Sequence, residues 1–152
     1  MGFTDDPLIV RRGFTLPEML IAIVLIVILA AMAAPATSKQ LRRGRVNQAA
    51  NVVAADLESA VSYAARLRKP VRITRTSATS FTVADRATGT VLQRRELGAD
   101  TEWKVSGITF STATVDVFPA GIASASLTVT LSENGYSRQV RFSRAGLAQV
   151  IQ

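Results

Sequence analysis

A long apolar run near the N-terminus constrains this chain more than any other feature. It extends from Phe14 to Ala34 and contains a single ionisable residue, Glu18. As a helix, its roughly 21 residues would be about 31 Å long, close to the 30 Å thickness of the hydrocarbon core of a bilayer. The run therefore predicts one membrane-spanning helix over residues 14–35.

Glu18 lies one turn inside this run and does not suit a plain membrane anchor. An ionised carboxylate there costs about 3 kcal/mol on insertion scales, and ionisable residues inside membrane spans usually mark a function. A secretory signal peptide fits poorly, because its apolar region would be shorter and free of charge. An ordinary single-pass anchor is the alternative. It would take a cytoplasmic C-terminus from the bases that follow the run: Lys39, Arg42, Arg43 and Arg45.

The composition excludes several kinds of chemistry. The chain of 152 residues has no histidine and no cysteine. Disulfides, thiolate or imidazole metal sites and nucleophile–histidine pairs are therefore excluded. The sequence also lacks a nucleophile elbow, a Ser-x-x-Lys grouping and a glycine-rich phosphate loop. We predict that the protein is not an enzyme and has no catalytic residues, metal or cofactor.

Periodicity divides the rest of the chain into a helix and a set of strands. Pro35 is expected to interrupt the helix, which continues as an amphipathic segment over residues 36–69 and ends at Lys69, before Pro70. Asp56 is expected to lie off its apolar face. That face consists of Leu41, Val46, Ala49, Ala50, Val53, Leu57, Ala60, Val61, Ala64 and Leu67.

Beyond Pro70, short alternating runs predict one antiparallel β domain over residues 70–152, which the apolar face of the helix would cover. The predicted strands are residues 71–74, 81–84, 91–93, 108–110, 115–118, 127–131 and 140–142. The segment Glu133-Asn134-Gly135 predicts a hairpin turn between the last two.

The stretch Arg11-Arg12-Gly13-Phe14-Thr15-Leu16-Pro17-Glu18, followed by the apolar helix, resembles the prepilin motif of type IV pilins and type II secretion pseudopilins. The resemblance implies that a prepilin peptidase removes residues 1–13 as a leader, cutting between Gly13 and Phe14. It also implies that Phe14 is then N-methylated and that Glu18 pairs with the N-terminus of the adjacent subunit.

The second half of the chain resembles the GspH/FimT family of minor pseudopilins. The resembling segments are Ala64-Ala65-Arg66, Val71-Arg72-Ile73, Phe118-Pro119-Ala120-Gly121, the hairpin over residues 127–142, and Ser143-Arg144-Ala145-Gly146-Leu147. The resemblance implies an α+β, pilin-like fold, in which a long N-terminal transmembrane helix packs by its second half on an antiparallel β-sheet domain.

The same resemblance implies a role and a location. The protein would be a minor pseudopilin of a type II secretion system, or a minor type IV pilin, that assembles into a pseudopilus, a pilus or its tip. It would be a single-pass protein of the bacterial inner membrane with a periplasmic C-terminal domain, extracted from the membrane on assembly. Its partners would be other pilins, the prepilin peptidase and the membrane.

The charge balance of 18 basic against 11 acidic residues, a net charge of +7, favours anionic partners. One alternative function is therefore DNA binding for uptake, through arginines on the β domain. The other reading is that exposed arginines keep the domain soluble. The candidate polyanion contacts are Arg72, Arg75, Arg94, Arg95, Arg138, Arg141 and Arg144.

Overall fold

The computed structural model describes residues 13–151, without the side chains of residues 33–36. Within these residues the chain forms one α-helix followed by eight β-strands. The helix is α1 (Leu16–Leu67), and the strands are β1 (Val71–Arg75), β2 (Ser80–Asp85), β3 (Val91–Glu96), β4 (Gly107–Phe110), β5 (Thr114–Val117), β6 (Leu127–Glu133), β7 (Tyr136–Phe142) and β8 (Ala148–Ile151). Of the predicted leader, residues 1–13, only Gly13 lies inside the described part.

The chain divides into two compact units, one that ends at Ser38 and one that begins at Lys39. In the first unit, the described residues from Leu16 onward are helical. Pro35 lies inside α1 and the helix continues past it, so the predicted interruption is not seen.

The helix α1 ends in a turn at Arg68, two residues before Pro70. The helix stops at Leu67 rather than at the predicted Lys69. Arg68 has a positive φ of 53°, the left-handed conformation that commonly terminates helices, and its N–H donates to the carbonyl of Ala65 at 3.3 Å. The local turn at Arg68 therefore ends the helix before the proline can do so.

The strands form two antiparallel sheets of four strands each. The order in sheet A is β3-β2-β1-β5, and the order in sheet B is β4-β6-β7-β8. The seven predicted strands are all present, but β8 was not predicted, and the division into two sheets was not predicted either. The β6–β7 hairpin turns at Asn134 and Gly135, with φ of 44° and 81°, as a two-residue turn with two left-handed positions requires.

The core of the second unit lies between α1 and the two sheets. Seven residues on one face of α1 are fully buried there: Val46, Ala49, Ala50, Val53, Leu57, Ala60 and Ala64. Four of these are alanines, so the helix side of the core is formed mainly by small side chains. Both sheets contribute, as Ile73 and Val83 of sheet A and Val140 and Phe142 of sheet B are also fully buried.

Contacts at one end of β1 and β4 join the two sheets. Phe81 of β2 and Phe110 of β4 have ring centroids 6.0 Å apart. The Arg75 guanidinium donates to the carbonyl of Ile108 at 3.0 Å, and the Ile108 N–H donates to the carbonyl of Ala78 at 2.7 Å. The two sheets therefore share one hydrophobic core.

Candidate functional site

The N-terminus of α1 holds the residues predicted for processing and assembly. The Thr15 carbonyl accepts the first helical hydrogen bond, from the N–H of Met19 at 3.1 Å, so Thr15 is the N-cap. Glu18 is the third helical residue, and its Oε2 accepts a hydrogen bond from the N–H of Thr15 at 3.4 Å. This is the carboxylate half of a capping box. The Glu18 carboxylate thus points back toward the Gly13-Phe14 bond.

The large apolar side chains from Phe14 to Met32 are exposed. Phe14 is 77% exposed and Leu16 is 85% exposed, and Met32 near the other end is 73% exposed. The helix is long and apolar enough to cross a bilayer. A continuous uncovered apolar surface of this kind requires lipid or other apolar helices around it.

Arg72 of β1 pairs with the carboxylate of Asp116 on the neighbouring strand β5. The Arg72 guanidinium donates to both oxygens of Asp116, at 2.7 and 3.1 Å, and Arg86 adds a contact at 3.3 Å. The hydrogen bonds from Arg72 lower the pKa of Asp116, and Asp116 in turn raises the pKa of Arg72. Two of the basic residues are therefore held by one acid.

A second cluster ties α1 to β3. Asp56 is 4% exposed, so the expectation that it lies off the apolar face of α1 was wrong. Its carboxylate accepts two hydrogen bonds from Arg95, at 2.6 and 2.8 Å, and one from the amide of Gln93. The guanidinium of Arg95 also lies 5.6 Å from the ring centroid of Trp103. These bonds raise the pKa of Arg95.

The other candidate arginines differ in their surroundings. Arg75 donates to a backbone carbonyl, Arg94 pairs with Glu96 at 3.0 Å, and Arg138 donates to the side-chain oxygen of Asn47 at 2.9 Å. Arg141 and Arg144 are exposed, and neither makes an ion pair with residues 13–151.

The structure brings Arg141 and Ser143 together. They line a pocket of about 180 Å³ with Leu147 and Gln149. Among the described residues, no group of three or more acidic side chains is placed to hold a metal ion.

Two family models match this chain, and together they cover most of it. Residues 10–34 match the prokaryotic N-terminal methylation motif. Residues 49–146, which include the C-terminal part of α1 and strands β1 to β7, match the type II transport protein GspH family.

The chain belongs to the GspH family.

Two solved structures have the same fold as this GspH family member. Both are crystal structures of the type IV minor pilin FimU from Pseudomonas aeruginosa, in different space groups. The first is 18% identical, with a TM-score of 0.59, and the match covers 72% of this chain and 90% of FimU. The second is also 18% identical, with a TM-score of 0.56, and covers 70% and 92%. The predicted pilin-like α+β fold is therefore confirmed.

No curated protein sequence matches the chain. Family membership nevertheless assigns it to the pilin and pseudopilin superfamily, whose members are structural subunits. The single N-terminal apolar helix fits the single-pass anchoring of such subunits.

Two features that bear on function were missed in the sequence. Asp56 follows Val53 by three positions and precedes Ala60 by four, so its spacing already placed it on the buried face. In the sequence, Lys39, Arg42 and Arg43 are recognisable only as bases that flank the membrane span. In the structure they line a pocket together with the β6–β7 turn. That pocket depends on a contact distant in sequence, which periodicity does not reveal.

Proposed function

We propose that this GspH family protein is a minor pseudopilin of a type II secretion system, or a minor type IV pilin, that is built into a filament or its tip. The observation that carries the proposal is the exposed apolar half of α1, headed by a carboxylate at its first turn. A helix of this kind is suited first to lipid and then to packing among similar helices, where Glu18 would be the one charged group.

In the proposed precursor, residues 1–13 form a leader on the cytoplasmic side of the inner membrane. Residues 14–35 span the bilayer, residues 36–69 continue the helix, and residues 70–152 form the β domain in the periplasm. The prepilin peptidase cuts between Gly13 and Phe14, and Phe14 is N-methylated. The match of residues 10–34 to the methylation motif supports this sequence of events.

The geometry of Glu18 suggests how assembly is driven. At 3.4 Å its hydrogen bond to Thr15 is longer than the usual 2.9–3.0 Å, so little is lost when it breaks. Cleavage creates a cationic amine at Phe14. The amine of an adjacent subunit would satisfy the Glu18 carboxylate better than a backbone N–H can, because charge-assisted hydrogen bonds are about twice as strong as neutral ones. The pair would also set the axial register between subunits.

Replacement of Glu18 tests this mechanism. Glu18→Ala and Glu18→Gln should leave membrane insertion intact, because each removes a charge from the apolar segment. Recovery of the variants in cross-linked complexes with neighbouring pilins should fall at least about tenfold, the effect of losing about 1.4 kcal/mol of pairing.

Glu58→Ala is the matched control, because Glu58 is an exposed acid on the same helix beyond the apolar segment. It should assemble like the natural protein. Normal assembly of Glu18→Ala would refute the pairing mechanism.

DNA binding is the weaker candidate. Five of the seven arginines considered for it already have intramolecular partners: Arg72, Arg75, Arg94, Arg95 and Arg138. Only Arg141 and Arg144 are left with no such partner among the described residues, and two phosphate contacts supply little of the affinity that depends on counterion release.

A further inference from the structure

A pocket rich in basic side chains lies where α1 meets the β6–β7 hairpin. Its volume is about 210 Å³, and it is lined by Lys39, Arg42 and Arg43 of α1 and by Asn134, Gly135 and Tyr136 of the hairpin. We refer to it as the basic pocket. All six residues belong to the compact unit that begins at Lys39.

Two side chains of the basic pocket, Arg43 and Tyr136, make defined contacts within the fold. The guanidinium of Arg43 lies 5.6 Å from the ring centroid of Tyr136. The Tyr136 hydroxyl donates in turn to the side-chain oxygen of Asn47, at 3.1 Å. Asn134 and Gly135 form the tight two-residue turn at the hairpin tip. The hairpin side of the pocket is therefore defined by contacts within the fold.

The positive charge of the basic pocket is not neutralised by the part of the chain that the structure describes. The four ion pairs found there involve none of Lys39, Arg42 and Arg43. The acid next to the hairpin turn, Glu133, is buried, with its Oε2 unpaired. Three cations around a cavity of this size suit an anion, and guanidinium groups are particularly suited to the oxygens of a phosphate.

The position of the basic pocket in the chain indicates which anion lies near it. Lys39 follows Pro35, the end of the proposed membrane span, by four residues. Even a fully extended chain covers at most about 14 Å in four residues. The headgroup layer extends roughly 5–8 Å beyond the hydrocarbon core on each side. Once the helix is inserted, Lys39 therefore lies at most about 14 Å from the end of the span, within or just beyond the headgroup layer.

We propose that the basic pocket binds the phosphate of an anionic phospholipid headgroup on the outer face of the inner membrane. The inference rests on the membrane insertion contained in the proposed function. It also explains the bases after the span, which run against the charge rule for a periplasmic domain: they serve as a lipid site instead of an orientation signal. The bound lipid would hold the β domain at the bilayer surface until the subunit is extracted.

The test uses the full chain purified from its own membranes and placed in nanodiscs of equal phosphatidylglycerol and phosphatidylcholine. Native mass spectrometry then counts the lipids that remain bound to the protein after its release from the nanodiscs. The natural protein should retain the anionic lipid over the zwitterionic one by at least about tenfold, the scale expected for two or three basic side chains at an anionic surface. The combined change Lys39→Gln, Arg42→Gln, Arg43→Gln should reduce this ratio to near one.

Two control variants separate the pocket from net charge and from misfolding. Arg68→Gln, Lys69→Gln, Lys104→Gln removes the same charge from exposed positions elsewhere and should keep the enrichment. The double variant Arg42→Lys, Arg43→Lys keeps the charge of the pocket and should keep most of the lipid enrichment. Equal enrichment in the natural protein and the pocket variant would overturn the proposal, and so would an equal loss in the first control.

A final arm distinguishes a lipid phosphate from a free one. The natural protein is placed in phosphatidylcholine nanodiscs with millimolar inorganic phosphate. Binding of phosphate there, without lipid enrichment in the mixed nanodiscs, would overturn the proposal in favour of a soluble anion. The same spectra give the mass of the chain, so a failure of leader removal is read independently of the lipid count.

Discussion

The carboxylate of Asp56 links α1 to strand β3. It is 4% exposed and receives three hydrogen bonds from Gln93 and Arg95 of β3. Its removal would leave a guanidinium and an amide without their partner in a mostly dry site. This situation costs far more than the loss of an exposed ion pair.

We therefore predict that Asp56→Ala lowers the free energy of unfolding by about 3 kcal/mol. Glu58→Ala, an exposed change two residues away on the same helix, should alter it by less than about 0.5 kcal/mol. Chemical denaturation of the full chain in detergent micelles, followed by circular dichroism of the β domain, measures both. Equal stabilities would show that the buried pair contributes nothing.

Asp85 provides a prediction about pH. Its Oδ1 accepts hydrogen bonds from the N–H groups of Thr88 and Ala87, at 3.1 and 2.7 Å, and these bonds lower the pKa of Asp85. A carboxyl with a depressed folded pKa stabilises the protein above its unfolded pKa of about 3.9, and this stabilisation is lost as pH falls through the folded value.

Asp85→Asn should accordingly be less stable than the natural protein near pH 6, and the difference should shrink as the pH falls from about 4 towards 2. Denaturation midpoints across this range provide the measurement, with the exposed Asp100→Asn as the control. A difference that stays constant with pH would contradict the assignment.

At the scale of elements, the loop between β7 and β8 depends on a glycine. Gly146 has a φ of 76°, and a Cβ there would lie 2.5 Å from the carbonyl oxygen of Gly121 and 3.1 Å from a methyl of Val61. The backbone oxygen cannot move away without disturbing the neighbouring turn, in which Gly121 also has a positive φ. The loop therefore packs against α1 only with glycine at this position.

Gly146→Ala should lower the free energy of unfolding by about 2–4 kcal/mol, since it combines a backbone clash with a strained φ. Gly44→Ala is the contrasting variant, because Gly44 lies within α1 with open space around it. It should raise stability by about 0.5–1 kcal/mol. Unfolding curves that rank the two variants in the opposite order would contradict this account of the loop.

Elements were predictable where local chemistry decides them. The Asn134-Gly135 turn and the strands on either side follow from turn residues and alternation. Strand β8, Ala148–Ile151, was missed because only its last two residues, Val150 and Ile151, are β-branched, and its place in sheet B depends on pairing with β7. The end of α1 was placed two residues late because the left-handed conformation of Arg68, a residue with no particular preference for it, is not visible in sequence.

For the whole molecule, a long helix that covers an antiparallel β domain could be predicted from one apolar run and one change of periodicity, and the pilin-like fold from the resemblance to the GspH/FimT family. The pairing of strands into two sheets could not, since it depends on contacts such as Arg75 with Ile108 that join distant segments. At the candidate sites, Gly13, Phe14 and Glu18 come from a contiguous motif. The ion pairs of Arg72 with Asp116 and of Arg95 with Asp56 could be identified only in the folded structure, because they join residues distant in sequence.

The central claim is that the chain is a processed, membrane-inserted filament subunit. The most direct test is the intact mass of the protein purified from the membranes of its own cell. We predict the mass of a chain that begins at N-methylated Phe14 and lacks residues 1–13. The mass of the full chain from Met1 would contradict the account, and the protein would then be an ordinary single-pass anchor in which Glu18 has no assembly role.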